Sequence, residues 1–382
     1  MKLQYSLTSI LLFVLQSLAQ TQDYPYELKL VDSIQIESLE QIQITDYSPT
    51  KNRFLAYATQ SKICIEVDAN GNVISKVDLN GEGPGHFGRG MTHLSYLGED
   101  IIINGPNVYF VYDGDWNYKK RLVYTSGGAW LPLGMIPGTL ETYVSDGEAH
   151  VIKPVDHNYF GHKKLPNNYF SSANLIEVTT LNSEESKKQI KYPEGSIYLS
   201  NSTYYDRHKA ILSYNTKEEA VYLALSLEPK IYVYSTENFS LLSTINLELK
   251  DFRTPQGIPF EAQHKNGRSG FGPTNQLNTV YNYVNSGINS LSSEGEITII
   301  SYRTGTKRKT SAKSIKEARE EFDKENQFYT AFYKNGRKVL EIPRSYNRII
   351  RISETRFLTH DISVEEELDY SNFHIYELQK VK

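Results

Sequence analysis

Apolar positions along this chain fall into short runs, many of them alternating with polar ones, and clusters of Gly, Asn, Asp and Ser separate the runs. That is a strand-and-turn pattern: a strand sends successive side chains to opposite faces, and turns need residues that tolerate unusual backbone angles. Residues 62–67 (KICIEV), the Asp68-Ala69-Asn70-Gly71 turn and residues 72–79 predict a hairpin, because Asn-Gly between two apolar runs accepts positive φ. The arrangement recurs at residues 331–333 (AFY), Lys334-Asn335-Gly336 and 337–342, and more loosely at 230–234 (KIYVY) and 241–249. More uniformly apolar runs, 54–58 (FLAYA) and 220–227 (AVYLALSL), stand before two of these hairpins. The repeating unit is an apolar strand, a strand of the IYVY type, a turn and a final strand.

Between two such units lies Asn80-Gly81-Glu82-Gly83-Pro84-Gly85-His86-Phe87-Gly88. Neither a helix nor a strand absorbs that density of Gly and Pro, so the segment reads as an irregular crossing from one sheet to the next. Serial four-stranded sheets joined in this way make a β-propeller. Blades are expected around residues 50–80, 85–125, 140–180, 205–250, 290–342 and 345–378. The count is six, with seven allowed by the weak patterning of 125–205; a large β-sandwich is the competing all-β reading. The last strand (373–378, FHIYEL) matches the third strand of a unit and has no fourth after it, whereas residues 28–37 look like a fourth strand with no partner before them. Pairing the two would close the ring and cover both sheet edges. One helix is expected at 312–329, free of Gly and Pro, capped by Ser311 or by Ser314, the latter forming a capping box with Glu317. The cluster Lys307-Arg308-Lys309 before it reads as a solvated loop.

Composition changes this picture in three ways. Met1-Lys2, the apolar run 10–15 and Ser17-Leu18-Ala19 predict a secretory signal peptide over residues 1–19, leaving 20–382 as one propeller domain. The run is short of the roughly 20 residues a membrane span needs. The single cysteine, Cys64, excludes an internal disulfide and reads as a core residue within Ile63-Cys64-Ile65. No cysteine stands at the predicted cleavage site, so a lipid anchor there is not expected, and the expected location is secreted or periplasmic. A net charge of −4 argues against a nucleic-acid partner, which calls for a clustered basic surface.

Candidate chemistry is sparse. The glycine-rich segment lacks the Lys-Ser/Thr and the helix of a phosphate loop, so it reads as a structural turn, with His86 and Arg89 as exposed candidates on it. His150, His157 and His162 gather around residues 156–169, but their spacing matches no metal-ligand pattern, and no cofactor is expected. Residues 251–290 form a long insertion carrying Arg253, His264, Arg268 and Phe271; Arg, His and aromatic side chains on one long loop suit an interface. No catalytic serine elbow, zinc-helix or calcium-loop motif occurs.

The Gly81–Phe87 element (G-x-G-P-G-x-F), followed by a strand and Val111-Tyr112-Asp113-Gly114, resembles the inter-blade connection of uncharacterised six-bladed β-propellers of the bacterial cell envelope, relatives in shape of NHL-repeat and TolB-like propellers. The match is sharp over about ten residues and diffuse elsewhere. Many members of that group are lipoproteins, and this chain lacks the lipid-bearing cysteine. The resemblance implies a fold and a compartment, and no reaction. The expected function is a non-enzymatic binding or scaffold module engaging a protein or carbohydrate through the loops of one face. The rival is a metal-dependent lactonase-like hydrolase or a sugar lyase or hydrolase, which would bring residues such as Asp113, His157 and His264 together at the central channel.

Overall fold

A computed structural model describes residues 24–87, 90–105, 108–124, 139–145, 147–155, 169–200, 202–203, 210–255, 258–259, 285–306, 315–346, 348–360 and 370–381. Six four-stranded antiparallel sheets follow one another along the chain. Blade 1 is Ile42–Ser48, Arg53–Ala58, Cys64–Asp68 and Val73–Val77; blade 2 is His93–Leu97, Asp100–Gly105, Val108–Tyr112 and Tyr118–Val123. Blade 3 is Glu141–Ser145, Glu148–Pro154, Asn174–Thr180 and Glu185–Lys191; blade 4 is Ala210–Asn215, Ala220–Leu225, Lys230–Ser235 and Leu241–Asn246. Blade 5 is Gly287–Glu294, Ile297–Arg303, Phe328–Lys334 and Arg337–Ile342. Blade 6 takes Ile350–Arg351, Arg356–His360 and Tyr370–Lys380 from the C-terminal end, and Tyr26–Glu37 from the N-terminal end as its fourth strand.

The ring therefore closes as the unpaired terminal strands predicted, with Tyr26 opposite Lys380 and Glu37 opposite Tyr370. Blade 3 runs further than the pattern suggested, because the polar strand Glu185–Lys191 pairs with Asn174–Thr180 without a strong apolar signature of its own.

Why the middle strands read as unbroken apolar runs is clear from the packing. Each blade buries both faces against its neighbours, so both sets of alternating residues are apolar. In Arg53–Ala58, Phe54, Ala56 and Ala58 pack toward blade 6, while Leu55 and Tyr57 pack toward blade 2. One apolar cluster fills each of the six interfaces between blades. Cys64 is fully buried in the cluster between blades 1 and 2, and burial pushes its thiol well up, as expected of an inert core residue. Outer strands meet solvent on one side, which leaves Val73, Ile74, Leu241 and Leu242 exposed.

Turn chemistry completes the blades. In blade 1 the Asp68 carboxylate accepts the backbone N–H groups of Asn70 (2.8 Å) and Asn72 (2.9 Å). Gly71 has φ +88°, and a Cβ there would lie 2.2 Å from the carbonyl oxygen of Gln35 in the closing strand, so only glycine fits. Blade 2 repeats the device: Asp113 accepts from the N–H groups of Asp115 and Asn117.

The helix spans Ile315–Glu325 and ends before Phe328, which with Tyr329 belongs to the third strand of blade 5. The helical reading of 326–329 is thus corrected. Phe328 pairs with Arg303, and Tyr329 stacks on Tyr302 at 5.6 Å, contacts that outweigh a local helical preference. Among the described residues no helix is long and apolar enough to cross a membrane.

Candidate functional site

Strand direction sorts the connections onto two faces. Turns joining first to second and third to fourth strands lie on one face, and the longest of them are residues 113–117 and 236–240. Connections joining second to third strands, and one blade to the next, lie on the opposite face. The strand ends bordering the longest of them, Val123 and Glu141, Pro154 and Asn174, Lys191 and Ala210, Asn246 and Gly287, Arg303 and Phe328, and His360 and Tyr370, all lie on that face. The chain thus leaves and re-enters the sheets for every long connection on one side of the disc. A rigid scaffold presenting long loops on one face is the usual placement of a binding site.

Parts of this face are tied down by polar side chains. Glu228, at a tight turn in blade 4 and 2% exposed, accepts hydrogen bonds from the Ser196 hydroxyl (2.5 Å), the Ile197 N–H (3.1 Å) and the Tyr232 hydroxyl. It thereby holds the short 3-10 turn Ile197–Leu199 of the 192–209 connection. The two-residue strands Ser202–Thr203 and Ile258–Pro259 pair, linking that connection to 247–286. Arg253 donates its backbone N–H to the Ser286 hydroxyl (2.9 Å) and its guanidinium to the Thr306 carbonyl (3.1 Å), joining two connections of blade 5.

The first strands of the blades surround the central channel, and their polar residues bind neighbouring blades together. Asp46 of blade 1 accepts the N–H of Tyr96 in blade 2 at 2.8 Å. Glu141 of blade 3 accepts the N–H of Tyr214 in blade 4 at 2.8 Å. The Ser95 hydroxyl accepts the N–H of Leu140, and the Ser213 hydroxyl that of Ser293. Arg351 of blade 6 spends its guanidinium on Ser292, Ile297 and Glu354, at 2.8 to 2.9 Å.

Burial pushes the carboxyl groups of Asp46 and Glu141 up to about 7. For Glu141 the nearby charges of Asp46 and Glu294 add to the effect. Both side chains keep some open surface, so crowding by protein, rather than complete sealing, raises them. Among the described residues no three His, Cys, Asp or Glu side chains come close enough to hold a metal ion.

The residues singled out from sequence are scattered. His86 is half-buried rather than exposed, with Nδ1 sealed off: the glycine-rich segment folds back on itself, His86 N–H to the Gly83 carbonyl and Phe87 N–H to the Leu79 carbonyl, and Phe87 anchors it in the core. His150 stacks on Tyr143 at 4.6 Å and meets the Thr180 hydroxyl at 3.1 Å, so it serves blade 3. Asp113 sits in an exposed turn of the short-turn face, its carboxyl held low chiefly by the Asn117 side chain. It does not reach the channel. Arg253 lies on the long-connection face. Arg89, His157, His162, His264, Arg268 and Phe271 lie outside the described residues, as does the signal segment 1–19.

Sequence reasoning missed Asp46, Glu141 and Glu228. Asp46 follows Thr45, where the first strand of blade 1 bulges, a local irregularity that no composition signal announces.

No known protein family and no curated protein matches this sequence. Solved structures do match its fold. A member of the DUF4221 family from Bacteroides vulgatus superposes with a TM-score of 0.64 over 94% of this chain and 100% of that one, at 9% identity. A candidate exported protein from Bacteroides fragilis superposes with a TM-score of 0.51 over 95% and 98%, at 11% identity. At such identities the likeness is one of fold. It extends to the propeller and not to the narrower kinship with NHL-repeat or TolB-like proteins.

Proposed function

We propose that this chain is a binding propeller of the bacterial envelope or exterior, holding a protein or carbohydrate partner on the face that carries its long connections. The observation that carries this reading is the one-sidedness of the disc: short turns on one face, the strand ends that border every long connection on the other. Glu228 and Arg253 support it, since they brace connections that a purely decorative insertion would leave untied. The name of the Bacteroides fragilis counterpart is in keeping with export.

A catalytic reading draws on one observation, that Asp46 and Glu141 titrate near neutrality in the channel, as acid–base residues do. Both carboxylates are engaged by backbone N–H groups of the adjacent blade, and that stitching role accounts for their placement.

The test is site-specific photo-crosslinking in the producing cell. A photoreactive residue is placed at Thr254, exposed on the long-connection face, or at Arg337, exposed on the other. Discrete adducts from position 254 and none from 337 are expected. Adducts from 337 alone, or from neither position, sink the proposal.

A further inference from the structure

The outermost strand of every blade leaves one edge without a neighbour in the ring, and an open edge is a template for another strand. Charged side chains on such a strand discourage that pairing. Five of the six outer strands carry them: Lys76 in blade 1, Arg121 in blade 2, Lys188 in blade 3, Arg337 in blade 5 and Lys29 in blade 6 are examples. Blade 4 ends differently. Its outer strand, Leu241–Asn246 (LLSTIN), has no charged residue and no proline.

The first four residues of this strand are all exposed, Leu241 to 48% and Leu242 to 60%. Among the described residues nothing hydrogen-bonds to its outer edge. A bulge at Leu242 can blunt an edge, but the outer strands of blades 1, 2 and 5 carry the same irregularity beside their charges. Beyond the bulge, Ser243–Asn246 runs in regular register against Lys230–Val233. An uncharged stretch with leucines and β-branched residues, free of proline, is the kind of segment that pairs with another strand.

We infer that the edge of blade 4 pairs with the same edge of a second copy of this chain, forming a two-fold dimer. Charge identifies the occupant. A two-fold contact sets a surface against itself, so an edge bearing lysines meets its own lysines, and like charges facing across strands repel. Among the six outer strands the one in blade 4 brings no charge of its own to such a contact; the nearest, Glu237 and Glu248, stand beyond its ends. A two-fold axis normal to the joined sheet makes the strands antiparallel and puts residues of one face opposite each other. Centred on Thr244, it uses the regular stretch, with Thr244 against Thr244 and Ser243 against Ile245. Antiparallel pairing turns the second disc over, so the two long-connection faces point in opposite directions. Neither face is covered, and the inference does not depend on what those faces bind. Pairing over six residues buries less than a standard interface, so a micromolar dissociation constant is expected, with monomers when dilute.

The experiment is sedimentation velocity of the purified protein from low to high micromolar concentration. The parent should pass from monomer to dimer across that range. Thr244→Lys sets a lysine against its own copy at the axis and should weaken the dimer at least tenfold; the position is exposed, so the thermal midpoint of the dilute monomer should not move. Cys64, the chain's single cysteine, is fully buried, so Thr244→Cys introduces one accessible thiol. Residues directly opposed across antiparallel strands lie within disulfide reach. Mild oxidation should therefore link Thr244→Cys into covalent pairs and leave Lys188→Cys, on the edge of blade 3, unlinked. A protein that stays monomeric at the highest concentration overturns the inference and leaves the edge to a strand of some other protein. A dimer that survives Thr244→Lys, or that Thr244→Cys does not link, overturns it by placing the contact elsewhere.

Discussion

Asp46 and Glu141 carry the sharpest consequence at the scale of single residues. Their carboxyl groups sit at ordinary values of 3.8 and 4.5 in an unfolded chain and at about 7 when folded. Between those limits the folded state binds more protons than the unfolded one, so stability falls as pH rises from about 4 to about 7 and the full cost is present above 7. With part of each side chain open to solvent, the cost is on the order of 1–2 kcal/mol per residue. Glu141→Gln removes the charge and retains an oxygen for the Tyr214 N–H. Urea unfolding at pH 5 and pH 8 should therefore show the variant gaining on the parent at pH 8 and much less at pH 5. An equal difference at both pH values would refute this account.

At the scale of elements, the turns and connections decide more than the strands. Glu228→Ala leaves the Ser196 hydroxyl, the Ile197 N–H and the Tyr232 hydroxyl without their shared buried acceptor. A loss of about 2–4 kcal/mol is expected. Limited proteolysis should cut the 192–209 connection faster in the variant while sparing blades 1 and 2; unchanged cleavage there would show that Glu228 does not brace it. Much at this scale was readable in advance. Asn335-Gly336, both with positive φ, join the strands of blade 5 as the Asn-Gly signal indicated. What was not readable was the end of the helix. Residues 326–329 have no local stop signal, and only pairing with Arg303 and stacking on Tyr302 draw Phe328 and Tyr329 into a strand.

The whole molecule is held shut by a strand from its beginning paired with a strand from its end. Tyr26–Glu37 supplies Ile34 and Ile36 to the cluster between blades 6 and 1 and covers the edge of Tyr370–Lys380. Removing residues 24–37 uncovers that edge and opens the apolar interface beneath it. Size-exclusion chromatography should show the shortened protein aggregated or expanded, and a peptide of residues 24–37 added during refolding should restore part of the monomer. A shortened chain that stays compact and monomeric without the peptide would mean that closure is dispensable. At the same scale belongs the proposed partner-binding face, marked by the strand ends that border the long connections, together with the photo-crosslinking experiment that tests it.

The sequence by itself determined the all-β class, the approximate blade limits, the glycine-rich crossing after blade 1, the pairing of the two terminal strands and the buried place of Cys64. Each of these rests on local information: alternation says which side chains share a face, and Gly, Asn and Pro say where the backbone must turn. Tertiary structure alone decided which polar residues matter. Asp46 finds its partner in Tyr96, Glu141 in Tyr214 and Glu228 in Ser196. A charge in a strand looks the same in sequence whether it meets solvent, a backbone N–H of the next blade or a buried hydroxyl. Only the closing of six blades into a ring sets its surroundings, and with them its proton affinity and its use.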